Sequence, residues 1–173
     1  LPTWVPRPAG YRTGDHIPFE DNLNAMRSLH RTIVQSGAQT VLYMHPGLRD
    51  HPEWRHPVAQ LYQRFESELE KTVVDGRTHD VTLIPASLLW DDAINRFGAA
   101  HWYDDYVHGN KMARYASGCM VYTYITGKDP RAVDFRELPR DWKQSERTKP
   151  EYLKKVDARW IADQVWLYYS TRP

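Results

Sequence analysis

Thr40-Val41-Leu42-Tyr43-Met44 and Val81-Thr82-Leu83-Ile84 are two short apolar runs, closed by His45-Pro46-Gly47 and by Pro85. Continuous apolar runs of this length, bounded by turn residues, read as buried strands. Between them, Val58 to Val74 carries Leu61, Tyr62, Phe65, Leu69 and Val73 at helical spacing. Strand, helix and strand in that order predict a βαβ unit, and with it parallel pairing and the α/β class. Only these two strands are convincing. Three or more are usually needed for a stable sheet, so the sheet is expected to lack its first strands.

Around this centre the pattern is helical. Glu20 to Gln35 places Leu23, Met26, Leu29, Ile33 and Val34 on a helical period, with Gly37 as a stop. Leu48 to Pro57 is charged and holds two prolines, which predicts a loop. Ala86 to Phe97 predicts a helix, and Gly98 to Gly109 a loop of aromatic and charged residues. Lys111 to Ile125 is the most apolar helix, with Ala113, Ala116, Ser117 and Gly118 permitting close packing. A last amphipathic helix is expected from about Pro150 to Tyr169. Residues 1–19, punctuated by prolines and glycines, read as an arm. The remainder is one domain, with a main part over 20–130 and a surface wrap plus closing helix over 131–173.

Composition removes several classes of function. The chain has 173 residues, and 23 Lys and Arg stand against 22 Asp and Glu, a formal charge of +1. That balance gives no electrostatic reason to expect nucleic acid as a partner. No apolar run is long enough to span a membrane as a helix. A single cysteine, Cys119, excludes an internal disulfide framework and a multi-cysteine zinc site. It lies in an apolar helix, where a buried, inert thiol is expected.

The candidate chemistry lies in Asp105-Tyr106-Val107-His108, just ahead of Gly109-Asn110 and the apolar helix. A carboxylate three residues before an imidazole on a turn can hold the Nδ1 proton. Nε2 is then free to act as a general base toward a nucleophile. His101, Asp105 and His108 would share a face only if their segment were helical, and the flanking glycines argue against that. His45, His51 and His56 fall in the charged loop as ligands or as solvated residues. No metal and no cofactor is expected. Asp91-Asp92 reads as acidic charge near a helix start. Trp90, Trp102, Tyr103 and Tyr106 surround the candidate pair as core packing or as a stacking surface. Trp160, Trp166, Tyr168 and Tyr169 occupy both faces of the last helix, which predicts burial on more than one side or a partner.

Asp105-x-x-His108, the small and aromatic helix through Tyr115-Ala116-Ser117-Gly118-Cys119, and Thr126-Gly127-Lys128-Asp129-Pro130 together resemble the last conserved block of SGNH/GDSL-type hydrolases. The closer likeness is to a bacterial branch whose block ends in Thr-Gly-x-x-Pro, and it covers about residues 20–170. The resemblance implies a flavodoxin-like three-layer α/β/α fold and a serine hydrolase acting on an ester, such as a carbohydrate O-acetyl ester. His108 would be its base and Asp105 the orienting acid. It also implies an extracellular or periplasmic setting. The family's Gly-Asp-Ser nucleophile motif has no counterpart here, since Gly14-Asp15 is followed by His16. The nucleophile is therefore expected on an upstream segment or a companion chain. Ser28, Ser36, Ser67, Ser87, Ser117, Ser145 and Ser170 are poor substitutes by context. A non-catalytic binding or structural subunit of a larger assembly is the alternative.

Overall fold

The structure, a computed structural model, describes residues 19–134 and 153–171. The expected arm, all but its last residue, and most of the 131–149 segment lie outside those residues. The chain divides into two compact units, Leu1–Pro85 and Ala86–Pro173.

The first unit is the expected βαβ arrangement preceded by a helix. Helix α1 (Phe19–Gln35) leads to β1 (Thr40–Tyr43), and α2 (Arg55–Glu70) connects it to β2 (Val81–Ile84). The strands pair in parallel with Thr40 opposite Val81 and Tyr43 opposite Ile84. The fold is thus α/β with a short parallel sheet. Helix α2 packs on β2 and on α1. Leu61, Phe65 and Leu69 face inward, as their spacing predicts, and Phe19 stacks on Phe65 at 5.1 Å between ring centroids.

Three details depart from the sequence reading. The charged loop is shorter than expected, because Pro52–Trp54 forms a 3₁₀ turn and α2 already begins at Arg55. Pro57 falls in the first turn of α2, where a proline's missing N–H removes no helical bond. Helix α2 ends at Glu70 rather than near Val74. The chain then turns at Asp75-Gly76, both with positive φ, between reciprocal backbone bonds of Val74 and Arg77. That is the geometry of a type I′ turn, for which Asp-Gly is the favoured pair. Finally, Leu29 is exposed, and the inward position on α1 is taken by His30. Its Nδ1 lies 2.8 Å from Thr40 Oγ1 at the start of β1, and its ring edge faces His79. Burial first, and then the charges of His79 and Arg31, hold the His30 imidazole below its ordinary range.

The second unit is helical: α3 (Ala86–Phe97), α4 (Lys111–Thr126) and α5 (Lys155–Ser170). Ala113 and Ala116 on α4, with Ala158 and Ala162 on α5, are buried small residues on the two helices that contact most closely. Gly118 is not part of that seam, since a side chain there would meet open space. Gly127 ends α4 in the left-handed conformation, and its N–H donates to the Thr123 carbonyl at 2.8 Å. The aromatic residues of α5 are taken up within the unit. Trp160 meets Phe97 edge-on, Tyr169 meets Tyr124, and the Tyr168 hydroxyl donates to Asp92 at 2.7 Å. This corrects the reading of Asp91-Asp92 as helix-start charge. Both lie in the middle of α3, whose first turn holds no acidic residue.

Leu69 is 1% exposed. Leu69→Ala should lower unfolding free energy by about 2–5 kcal/mol in denaturant titration, the usual cost of emptying a core leucine site. An unchanged midpoint would contradict the packing described.

Candidate active site

Asp105 and His108 are brought together by one loop between α3 and α4. Trp102 and Tyr103 are buried, and Trp90 meets both of them edge-on, with centroids 5.8 and 5.1 Å away. Phe97 stacks on Trp102 from another side. These rings anchor the start of the loop. At its end, a Cβ on Gly109 would lie 2.5 Å from the Trp90 ring and 2.7 Å from Ala113 Cβ. Glycine is required there because the backbone itself lies against the indole.

The loop closes through backbone pairing. Tyr103 bridges Gly109 in antiparallel fashion, and Asp104 N–H donates to the His108 carbonyl at 2.8 Å. Asn110 N–H donates to the Trp102 carbonyl at 3.0 Å, and its Nδ2 donates to the His101 carbonyl at 2.7 Å. Its Oδ1 accepts from the N–H groups of Met112 and Ala113, which caps α4. Arg114 reaches back to the Gly109 carbonyl and to Asp104 Oδ2, both within 2.9 Å.

Within this frame Asp105 holds the turn and the imidazole together. Oδ1 accepts from the N–H of Val107 at 2.7 Å and of His108 at 2.6 Å, and Oδ2 lies 2.8 Å from His108 Nδ1. An ionised carboxylate only accepts, so the ring proton facing it is on Nδ1 and Nε2 is the nitrogen left to take a proton. The bond to the imidazole, followed by those to the two backbone N–H groups, pulls the Asp105 carboxyl far below the ordinary carboxylate range. The His108 side chain is 73% exposed and that of Asp105 49%. The contact is therefore screened by water, and the pair's orientation rests on the turn.

No serine among the described residues hydrogen-bonds His108. Ser36 and Ser170 donate to the carbonyls of Ile33 and Leu167, and Ser87 is fully buried. Ser145 lies outside the described residues. His101 sits in a 3₁₀ turn at Ala99–His101 rather than in one helix with Asp105 and His108. His51 lies 3.0 Å from Glu53 and stacks on Trp54, while His45 Nδ1 accepts from Gly47 N–H. Among the described residues no group of three or more His, Cys, Asp or Glu side chains is disposed to hold a metal ion. Burial pushes the Cys119 thiol up to about 11, which keeps it protonated. Of the four aromatics near the pair in sequence, Trp90, Trp102 and Tyr103 are core, and only Tyr106 is exposed. The role of Asn110 was missed by the sequence reading, although an Asn directly before an apolar helix is a capping signal.

No protein-family model, no curated protein and no solved structure gives a significant match to the chain.

Two substitutions separate the loop's braces. Asn110→Ala should cost about 1–2 kcal/mol of unfolding free energy, the range for a lost helix cap. Asp105→Ala should speed hydrogen exchange of the Val107 and His108 amides and leave the α5 amides unchanged. The depressed Asp105 carboxyl also fixes a sign. Its contribution is fully present above the ordinary aspartate value near pH 4 and is lost as pH falls through the lowered one. In a carbon-13 titration Asp105 should protonate below the ordinary aspartate value; a midpoint near 4 would contradict the brace.

Proposed function

We infer that the chain supplies the acid–base pair of a serine ester hydrolase of the SGNH type. Its substrate would be an ester such as a carbohydrate O-acetyl ester. The observation that carries this reading is the 2.8 Å contact of His108 Nδ1 with Asp105, on a turn that leaves Nε2 open to an incoming hydroxyl. The parallel βαβ unit is compatible with a flavodoxin-like three-layer sheet, to which further strands would add. In this reading Nε2 of His108 accepts the serine proton as the oxygen attacks the ester carbonyl. The imidazolium, stabilised by Asp105, passes that proton to the departing alkoxide. Water then attacks the acyl-enzyme as His108 takes its proton; the bond to the serine oxygen breaks, the carboxylic acid leaves, and His108 returns the proton to the serine.

The serine would come from an upstream segment or a companion chain, and the setting would be extracellular or periplasmic. Among the described residues no helix is long and apolar enough to cross a membrane. One observation favours a second reading as a non-catalytic binding or structural subunit: no described serine hydroxyl meets His108.

The test is hydrolysis of p-nitrophenyl acetate and an acetylated polysaccharide by the native sample, together with labelling by a fluorophosphonate probe and intact-mass analysis. A labelled serine on a co-purifying or upstream segment supports the first reading. His108→Ala should then lower turnover by about 10³-fold or more, as removal of a triad base does. Turnover unchanged by that substitution would remove His108 from the mechanism. A sample that neither labels nor hydrolyses would mean that the serine chemistry is absent and would put the second reading in the lead.

A further inference from the structure

In the first unit, two cavities of about 270 and 450 Å³ adjoin along α1 and α2. They share Arg27 and Glu68 in their walls, so they form one furrow. Among the described residues its charged lining is four cations, Arg27, Arg31, Arg64 and Lys71, against two carboxylates, Glu20 and Glu68. In a chain whose charges otherwise nearly cancel, this local surplus of positive charge is a property of the furrow.

Three of the four cations are held in place. Glu68 lies where the two cavities meet, with Arg27 Nη2 at 3.2 Å from one oxygen and Lys71 Nζ at 2.8 Å from the other. The Arg64 guanidinium lies over the Phe19 ring at 3.8 Å from its centroid. Arg31 is one turn beyond Arg27 on the same face of α1, and no carboxylate among the described residues pairs with it. Lys71 first, and then Arg27 and Arg64, hold the Glu68 carboxyl below its ordinary range. Glu68 thus shows what the furrow does to a negative group: it receives charge-assisted hydrogen bonds from Arg27 on α1 and from Lys71 just past the end of α2.

We propose that this furrow binds a small, multiply charged anion, about the size of a disaccharide, in which sulfate, phosphate or carboxylate groups occupy the positions facing Arg27, Arg31, Arg64 and Lys71. The combined volume lies within the usual range of small-molecule sites. Arginine presents a planar fork of donors that matches the oxygens of such groups. The intramolecular carboxylate of Glu68 competes with the ligand for Arg27 and Lys71. This site does not depend on the ester-hydrolase reading, because it uses none of that reading's residues.

The experiment is calorimetric titration of the full chain at about 150 mM salt, where diffuse surface attraction is screened. The two probes are tripolyphosphate and a fully sulfated heparin-derived disaccharide. Saturable one-to-one binding of either supports the site, and whichever binds identifies the anionic group it prefers. Arg31→Ala removes an exposed side chain that no carboxylate among the described residues pairs with, and should leave folding intact. It should weaken binding by about tenfold or more, the worth of one charge-assisted hydrogen bond. Glu68→Gln should tighten binding, because it removes the competing carboxylate. Glu70→Gln makes the same change in net charge on the same helix outside the furrow, and should leave affinity unchanged. Failure of both probes to bind, or equal tightening by Glu68→Gln and Glu70→Gln, would overturn the proposal.

Discussion

Asn110 is the constraint on which the candidate site rests. Its backbone N–H, its side-chain amide and its side-chain oxygen are all engaged, two with the chain entering the loop and one with the first amides of α4. The residue is 2% exposed, so each of these groups would be costly to leave unbonded. One side chain therefore fixes both the separation of the loop's ends and the start of the helix that follows. Everything between Tyr103 and Gly109 is built on that fixed span.

On this base the orientation of His108 depends more on backbone than on burial. A buried His–Asp pair gains strength from a low dielectric, whereas this one lies in water and gains little from charge alone. What it has is direction. The same carboxylate that faces Nδ1 also accepts two amides of its own turn, so the imidazole is oriented by a group that is itself tied down. The indole of Trp90 lies against Gly109 immediately after His108, which leaves the loop one way to lie.

Much of this was legible in the sequence, for physical reasons that can be named. Val81–Ile84 and Ala86–Phe97 have the bounds their punctuation predicts, because Pro85 separates an apolar run from a helical period. Asp105 and His108 meet as their spacing suggests, since a three-residue offset on a turn is a local matter. The missed features depend on context. In the sequence Pro57 reads as a breaker, but a proline breaks a helix only beyond its first turn. Asp75-Gly76 carried a turn signal that the apolar Val73 and Val74 masked. His30 is polar, and no periodicity of apolar residues could put it in the core; only its contact with Thr40 accounts for it. The furrow between α1 and α2 was invisible because its charges come from two helices whose contact is tertiary.

The loop from Trp102 to Asn110 has a consequence for the order in which structure forms. Its bonds join residues at most ten apart in sequence, whereas the paired strands bring Thr40 to Val81 across the whole of α2. Closing a short loop has a small entropy cost and takes on the order of 10–100 ns, while parallel strand pairing waits for distant segments to meet. The geometry around His108 is therefore low in contact order and the sheet is high in it. The contact of His108 with Asp105 is assembled from local information, and a folding chain can have it in place before the first unit has found its strand register.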